Sequence, residues 1–340
     1  MSSEFGSVGF QIRQKAQVMY DYICLAGMKN FLRIVSAIAV IIISIIYLYM
    51  NRFQLAVLKN IYPTDMVVIF ILTFLFFCVT GYTFSMLVGL MGVKLSSSEI
   101  VGLSILTNFG NYLGPIRPGA ALKAVYLKAS RGLAYTRFTS VLAANTFLAF
   151  FVTGGVGMIL LFLLKKENTD PPYILFFACI GIIIGSVLPF FYKIPDIRKK
   201  NRFTDLLRAT LEGFKIIRVQ KSRLALICLS FLVQFFLAAL LNQVVYRSVG
   251  VPISFLSALV IGVFTSIANF FTITPNNLGV QEAVSAYLFT LAGYDYTTGV
   301  IGAGLGRMVH MAITFSLAPI FSHYLLKSLN LSLMGRDKSA

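Results

Sequence analysis

Charged residues, histidine and tryptophan are scarce in this sequence, and their scarcity excludes most kinds of soluble enzyme. Only 12% of the 340 residues are charged, two are histidine and none is tryptophan. No nucleotide-binding, serine-hydrolase or zinc-protease motif occurs, and no paired-carboxylate pattern suited to hydrolysis is present. The four cysteines have neither the spacing of a metal site nor that of a disulfide framework. We therefore expect a protein that is not an enzyme and that binds no metal, nucleotide or other cofactor.

Apolar residues, by contrast, are abundant and stand in long continuous runs. They make up 58% of the chain, and the mean hydropathy is +0.83. A membrane-spanning helix needs about 20 predominantly apolar residues. The runs predict an all-α polytopic membrane protein with about six transmembrane helices, at residues 32–50, 66–92, 136–164, 173–192, 223–247 and 296–327.

The basic residues are placed as in an inner-membrane or plasma-membrane protein, and not as in a nucleic-acid-binding one. The net charge is +17, but the lysines and arginines flank the apolar runs. Residues 193–223 contain ten basic side chains against three acidic ones, which predicts a cytoplasmic segment. Apolar residues at helical spacing within 193–222 indicate an amphipathic helix on the inner leaflet, or else a connector packed on the protein. The N-terminal segment 1–31 and the tail 328–340 are then also cytoplasmic.

Two apolar segments break at proline and glycine and then restart as helices, the first around Pro118 and the second around Pro275. Broken helices at membrane depth are tolerated where they are buried in protein or line a cavity. Matching pairs of them mark the substrate sites of transporters that are built from inverted repeats. The alternative is an accidental similarity between apolar segments. We predict two re-entrant broken-helix hairpins, one in each of two inverted halves: hairpins 98–131 and 254–293, in halves 32–192 and 223–327.

Residues at the two breaks predict a site for an anionic headgroup. A helix that begins inside the membrane presents unpaired N–H groups and a partial positive charge, which bind phosphate or carboxylate. Arg117 lies in the first break with a guanidinium suited to phosphate, and Lys123 follows one turn into the helix. Gly119 and Gly279 stand where the two helices restart and would let a headgroup approach the backbone. The alternative is that Arg117 caps carbonyl groups that the break leaves free.

Polar residues within the apolar segments are the remaining candidates. Glu282 is the one carboxylate predicted deep in such a segment, and Arg307 and His310 share a face of the last span. We predict that Glu282 and Arg307 contact the headgroup, with Glu282 and His310 as candidates for proton coupling. The alternatives are that Glu282 caps its helix or pairs with Arg307. Five amides either line a polar path or tie helices together: Asn111, Asn145, Gln234, Asn242 and Asn269. If they line a path, we expect Asn111 and Asn269 to belong to the headgroup site.

These residues resemble the transmembrane-region family of lysylphosphatidylglycerol synthases, whose members are flippase-like proteins. The resemblance covers roughly 66–327 and is carried by Pro115, Arg117, Gly119, Lys123, Gly279, Gln281, Glu282 and Arg307. Ala120 and Lys123 stand where the family pattern has Glu and Arg, so the resemblance implies a divergent, stand-alone member. It implies lipid translocation or export of lipid-linked molecules, without the aminoacyl-transferase domain that is fused to some relatives.

Together these patterns predict a flippase or transporter for an anionic lipid. The headgroup, of a phospholipid derivative or a polyprenyl-phosphate glycan, would cross through a polar midplane cavity while the chains stay in the bilayer. Membrane lipids are the expected partners, a lipid-synthesising enzyme is a further candidate partner, and nucleic acid is not expected. Two other functions stay open: an integral-membrane enzyme that modifies a lipid headgroup, and a non-transporting partner of a glycosyltransferase or synthetase.

Overall fold

A computed structural model of the protein describes residues 61–113, 117–166, 171–191, 220–269 and 275–337. Within these ranges the chain forms nine α-helices and no β-strand, which confirms the predicted all-α fold. They are α1 (Pro63–Leu90), α2 (Ser97–Tyr112), α3 (Pro118–Arg131), α4 (Tyr135–Lys166), α5 (Tyr173–Phe191), α6 (Lys221–Ser248), α7 (Phe255–Ala268), α8 (Val280–Leu291) and α9 (Tyr296–Asp337). The predicted segments 1–31 and 32–50, and most of 193–222, lie outside the described residues.

Four of the helices, α1, α4, α6 and α9, are long and apolar enough to cross a membrane. They correspond to four of the predicted spans and support a membrane location. The predicted span at 173–192 is α5, which is a shorter apolar helix. Large apolar side chains are exposed on the outside of these helices, among them Phe70, Phe162 and Phe236. In a membrane protein such a surface is solvated by lipid chains.

Local sequence signals set several helix ends. Ser96 accepts a hydrogen bond from the N–H of Glu99, whose carboxylate accepts one from the N–H of Ser96, so α2 begins with a capping box. Ser254 caps α7 by accepting a bond from the N–H of Ser257. Gly132, in the left-handed region with φ 71°, ends α3. Because these signals come from neighbouring residues, the helix boundaries fall close to the predicted ones.

Both predicted breaks are present. The helix α2 ends at Tyr112 and α3 begins at Pro118, while α7 ends at Ala268 and α8 begins at Val280 after a short 3-10 turn, Pro275–Asn277. Proline lacks the N–H that continues a helix, and it disfavours helical backbone in the residue before it. Since α2 packs on α3 and α7 packs on α8, each break folds the chain back on itself. That the two hairpins enter the membrane from opposite sides stays a prediction.

The helix packing repeats between the two halves of the chain. The helix α2 packs against α1 and α9, and α7 packs in the same way against α6 and α4. The helices α1 and α6 pack against each other. The helices α1–α4 therefore correspond in order to α6–α9: α2 and α7 occupy equivalent positions, and their neighbours are also equivalent. This is the pattern expected of an internal repeat. The 3-10 turn of the second break also contacts α2, so the second break lies against the hairpin that contains the first.

Two of the amides considered for a polar path hold helices together instead. Gln234 on α6 donates to Thr83 Oγ1 on α1 at 2.9 Å. Asn242, also on α6, donates to the carbonyl oxygen of Ala258 on α7 at 3.1 Å. Both contacts agree with the interpretation that these amides tie helices within an apolar body. Asn145 on α4 is half-buried, and its role stays a prediction.

Candidate functional site

The second break is organised around the guanidinium of Arg307 on α9. Its Nε donates to Glu282 Oε1 at 2.6 Å, and its Nη1 donates to the carbonyl oxygen of Asn276 at 3.1 Å. Its Nη2 donates to Gln281 Oε1. Only 6% of the Arg307 side chain and 14% of the Glu282 side chain are exposed. The two charges therefore neutralise each other inside the protein, and every branch of the guanidinium already has an acceptor.

Glu282 also closes the N-terminus of α8. Its Oε2 accepts a hydrogen bond from the N–H of Gly279 at 2.7 Å. Gly279 has φ 80°, a conformation that glycine adopts without the cost it carries for other residues. The N–H at which we expected a headgroup is thus occupied by a carboxylate of the protein itself. This geometry agrees with both alternatives for Glu282, the helix cap and the ion pair.

His310 lies in an aromatic group formed by α1, α2 and α9. Its Nδ1 is 3.1 Å from the hydroxyl oxygen of Tyr112, and its ring centroid is 4.9 Å from that of Phe77. Tyr112, the last residue of α2, therefore contacts α9 through His310. A role for His310 and Glu282 in proton coupling stays a prediction.

Arg117 at the first break has a different setting. Its backbone is left-handed, with φ 47°, a conformation that costs a non-glycine residue about 1–2 kcal/mol. Its guanidinium donates to the backbone carbonyl oxygen of Asn269, at the C-terminal end of α7. This contact agrees with the alternative that Arg117 caps a carbonyl group freed by a break. No ion pair between described residues includes Arg117, so no carboxylate among them compensates its charge.

Arg117 also lies at one end of a groove of about 480 Å³ between α3 and α4. At the other end, Lys128 Nζ lies 4.1 Å from the centroid of the Tyr135 ring, a cation–π contact. One face of each helix lines the groove: Arg117, Ala120, Ala121 and Ala124 on α3, with Tyr135, Phe138, Thr139, Leu142 and Thr146 on α4. The groove is therefore mainly apolar, with a positive charge near each end.

Gly119 and Asn111 belong to the crossing of α2 and α3. A Cβ atom on Gly119 would overlap the carbonyl oxygen of Thr107 and would lie 2.8 Å from Asn111 Oδ1. The close approach observed at Gly119 is therefore between two helices of the protein. Asn111 Oδ1 is buried and has no hydrogen-bond partner among the described residues.

Lys123 points away from the groove and towards α1. Its Nζ lies 3.9 Å from the centroid of the Phe84 ring, in a cation–π contact. The structure thus divides the predicted site residues into two groups and leaves Lys123 outside both. Arg117, Gly119 and Asn111 lie at the first break, where Arg117 also binds Asn269 of the second break. Gly279, Glu282, Arg307 and His310 lie around the second break.

The sequence patterns did not identify several residues that make these contacts. Tyr112 lies directly before the first break and Asn276 lies within the second. Their positions at the breaks are the signal in the sequence that could have identified them. Thr139 and Thr146 lie on the groove face of α4, seven residues apart and therefore on one side of a helix. Such hydroxyls are common within apolar helices, so they become recognisable only when the opposing face of α3 is known.

The sequence model of a protein family described as the lysylphosphatidylglycerol synthase TM region matches residues 32–318. No curated protein matches the chain. The matched range contains both breaks, the groove and the Glu282–Arg307 pair.

Proposed function

The chain belongs to the lysylphosphatidylglycerol synthase TM region family, and we propose that it moves an anionic lipid between the leaflets of its membrane. The lipid would be a phospholipid derivative or a polyprenyl-phosphate-linked glycan. Its phosphate binds Arg117 while its chains remain in the bilayer, so that the charge never meets hydrocarbon without a partner. Family membership supports a lipid-related function, and the setting of Arg117 supports the movement of an anionic lipid in particular.

The observation that carries the proposal is the charge of Arg117 beside the groove, which forms no ion pair with any carboxylate of the described residues. A guanidinium presents two parallel N–H donors that match a phosphate, and it stays charged even when partly buried. Its described acceptor, the Asn269 carbonyl, is neutral, so a phosphate can replace it with a gain in electrostatic energy. Strained backbone in a non-glycine residue persists where the surrounding structure enforces it, and it is enriched at ligand sites.

Arg307 is a weaker candidate for the headgroup because its donors are already used. A phosphate would have to displace Glu282 from a contact of 2.6 Å and leave that carboxylate buried beside another anion. We therefore assign Glu282 and Arg307 a positioning role. They hold the start of α8, and the 3-10 turn Pro275–Asn277, against α9.

The proposal can be tested in phosphatidylcholine vesicles that contain the purified protein and a trace of fluorescent phosphatidylglycerol. A membrane-impermeant reductant added outside bleaches label in the outer leaflet, and label that crosses the membrane is bleached later. The wild-type protein should expose the inner-leaflet label. Arg117→Ala should slow this by about 10- to 100-fold, the factor expected from losing a charge-assisted contact of ~1.5–3 kcal/mol.

Arg117→Lys should retain part of the activity, because it keeps the charge but not the planar pair of donors. Arg137→Ala is the matched control, since Arg137 is an exposed arginine on α4 and does not line the groove. Equal rates for wild type and a well-folded Arg117→Ala protein would remove Arg117 from the site.

A further inference from the structure

The two halves of the chain have matching junctions between their first two described helices. Two residues after the end of α1, Gly92 has φ 84°, and two residues after the end of α6, Gly250 has φ 91°. Four residues further on, Ser96 and Ser254 cap α2 and α7. Corresponding positions of the two halves can therefore be found by counting from the ends of corresponding helices.

The last helix of each half begins in the same way. The helix α4 begins at Tyr135, three residues after Gly132, and α9 begins at Tyr296, three residues after Gly293. Both glycines have a positive φ, of 71° and 86°. A residue of α4 therefore corresponds to the residue of α9 that lies equally far from the first tyrosine.

The buried ion pair of the second half has no counterpart in the first. Glu282 is the third residue of α8, and Ala120 is the third residue of α3. Arg307 is the twelfth residue of α9, and Thr146 is the twelfth residue of α4. Ala120 and Thr146 both line the groove that contains Arg117. The groove therefore lies at the place where the second half holds its pair of charges.

A further difference keeps the walls of the groove apart. Gly299 is the fourth residue of α9, and a Cβ atom there would lie 2.8 Å from the Cα atom of Ala286 on α8. The fourth residue of α4 is Phe138, which lines the groove and prevents so close an approach. Accordingly, α8 packs closely along α9, whereas α3 touches α4 only slightly. The first half thus has an open space where the second half is closed.

This space contains one charge without its counterpart. In the second half, Glu282 lies 2.6 Å from Arg307 and neutralises it. In the first half, Arg117 lines the groove and forms no ion pair with a carboxylate of the described residues. The hydroxyl of Thr146 already donates to the carbonyl oxygen of Leu142 at 3.0 Å. A ligand in the groove therefore meets Arg117 as its charged partner and supplies the negative charge itself.

We propose that the phosphate group of a membrane lipid lies between α3 and α4 and pairs with Arg117, in the place that corresponds to the Glu282 carboxylate of the second half. The inference rests on the proposed function and deepens it by naming the position of the phosphate. Ala120 and Thr146 leave room for the phosphate because their side chains are small. The groove volume of about 480 Å³ is in the range of small-molecule sites, about 300–1,000 Å³.

Returning a carboxylate to the groove tests the proposal. Ala120→Glu gives Arg117 a partner within the protein, and Ala120→Gln adds a side chain of nearly the same shape without the charge. The purified protein in detergent is titrated with phosphatidylglycerol, and the rise in its unfolding midpoint reports binding. Ala120→Gln should weaken binding by about threefold because it occupies space. Ala120→Glu should weaken it by about 30-fold, because Arg117 is then paired and a second anion is repelled.

A second pair of variants and two further ligands complete the experiment. Thr146→Glu and Thr146→Gln make the same comparison from the opposite wall and serve if an Ala120 variant does not fold. Diacylglycerol has the chains without the phosphate, and glycerol 3-phosphate has the phosphate without the chains. Both should bind the wild-type protein at least about tenfold more weakly than phosphatidylglycerol. Equally tight diacylglycerol would overturn the phosphate as the bound group, and equally tight glycerol 3-phosphate would overturn a lipid as the ligand.

The variants also separate this site from the proposed function. Equal losses in the Glu and Gln variants would overturn the pairing with Arg117, because occupied space and not charge would then be responsible. Charge-dependent binding without lipid movement in the vesicle assay would refute the proposed function and leave the site. Lipid movement that is lost in Arg117→Ala but unchanged in Ala120→Glu and Thr146→Glu would refute the site and leave the proposed function.

Discussion

The ion pair between Glu282 and Arg307 allows the most quantitative prediction. Glu282→Gln keeps the shape of the side chain and an oxygen that can still accept from the N–H of Gly279. It removes the negative charge 2.6 Å from Arg307 Nε, whose side chain is only 6% exposed. Removing one partner of a buried pair costs about 3–5 kcal/mol, because the other charge stays buried. Arg307 keeps two further acceptors, so we expect the lower end of this range, about 3 kcal/mol.

Thermal unfolding in detergent should reveal this loss. At roughly 2 °C per kcal/mol for a large chain, the midpoint should fall by about 6 °C. Glu282→Ala should cost about 1 kcal/mol more, since it also removes the acceptor that caps α8. The double variant Glu282→Gln/Arg307→Gln should recover part of the loss, because no charge is then left without a partner.

Asp65→Asn provides the matched control. Asp65 pairs with Arg247 at the same distance of 2.6 Å, but the Arg247 side chain is 59% exposed. Solvent screens such a pair, whose typical worth is about 0–1 kcal/mol, so the midpoint should fall by about 2 °C at most. Equal losses for Asp65→Asn and Glu282→Gln would refute the reasoning from burial. A fully stable Glu282→Gln protein whose transport loses its pH dependence would instead support proton coupling.

Two further predictions concern packing and topology. Gly119→Ala should prevent folding or sharply reduce expression, because the added Cβ overlaps the Thr107 carbonyl oxygen, whereas Gly89→Ala meets no atom within 4 Å and should be tolerated. A well-folded Gly119→Ala protein would show that α2 and α3 can separate at little cost. In intact cells, an impermeant thiol reagent should label Pro252→Cys from outside but not Lys200→Cys, because basic loops stay in the cytoplasm. External labelling at residue 200 would reverse the orientation.

Arg117 illustrates how far the sequence alone carries the candidate site. Its place in a break follows from the prolines around it, and its affinity for anions follows from its chemistry. Its acceptor, the Asn269 carbonyl, is 152 residues away and could not be inferred from local pattern. The groove beside it is formed by one face of α3 and one face of α4. The sequence indicated neither face.

Gly119 and Gly279 show the same difference between what the sequence predicts and what the structure decides. The sequence correctly placed Gly119 and Gly279 where helices restart, since glycine marks such positions. It suggested one role for both, the approach of a headgroup. The structure gives them different ones: Gly119 makes room for α2, and Gly279 takes a positive φ and donates its N–H to Glu282.

The sequence by itself determined that this is an all-α membrane protein, where its described apolar helices lie, and where two of its segments break. These properties depend on hydropathy, helix caps and proline, which act within about one or two helical turns. Only the tertiary structure decided that Arg307 is engaged with Glu282, that Arg117 is left beside a groove, and that Lys123 points to Phe84. Such pairings depend on which distant helix faces meet, and the packing of the whole chain determines this.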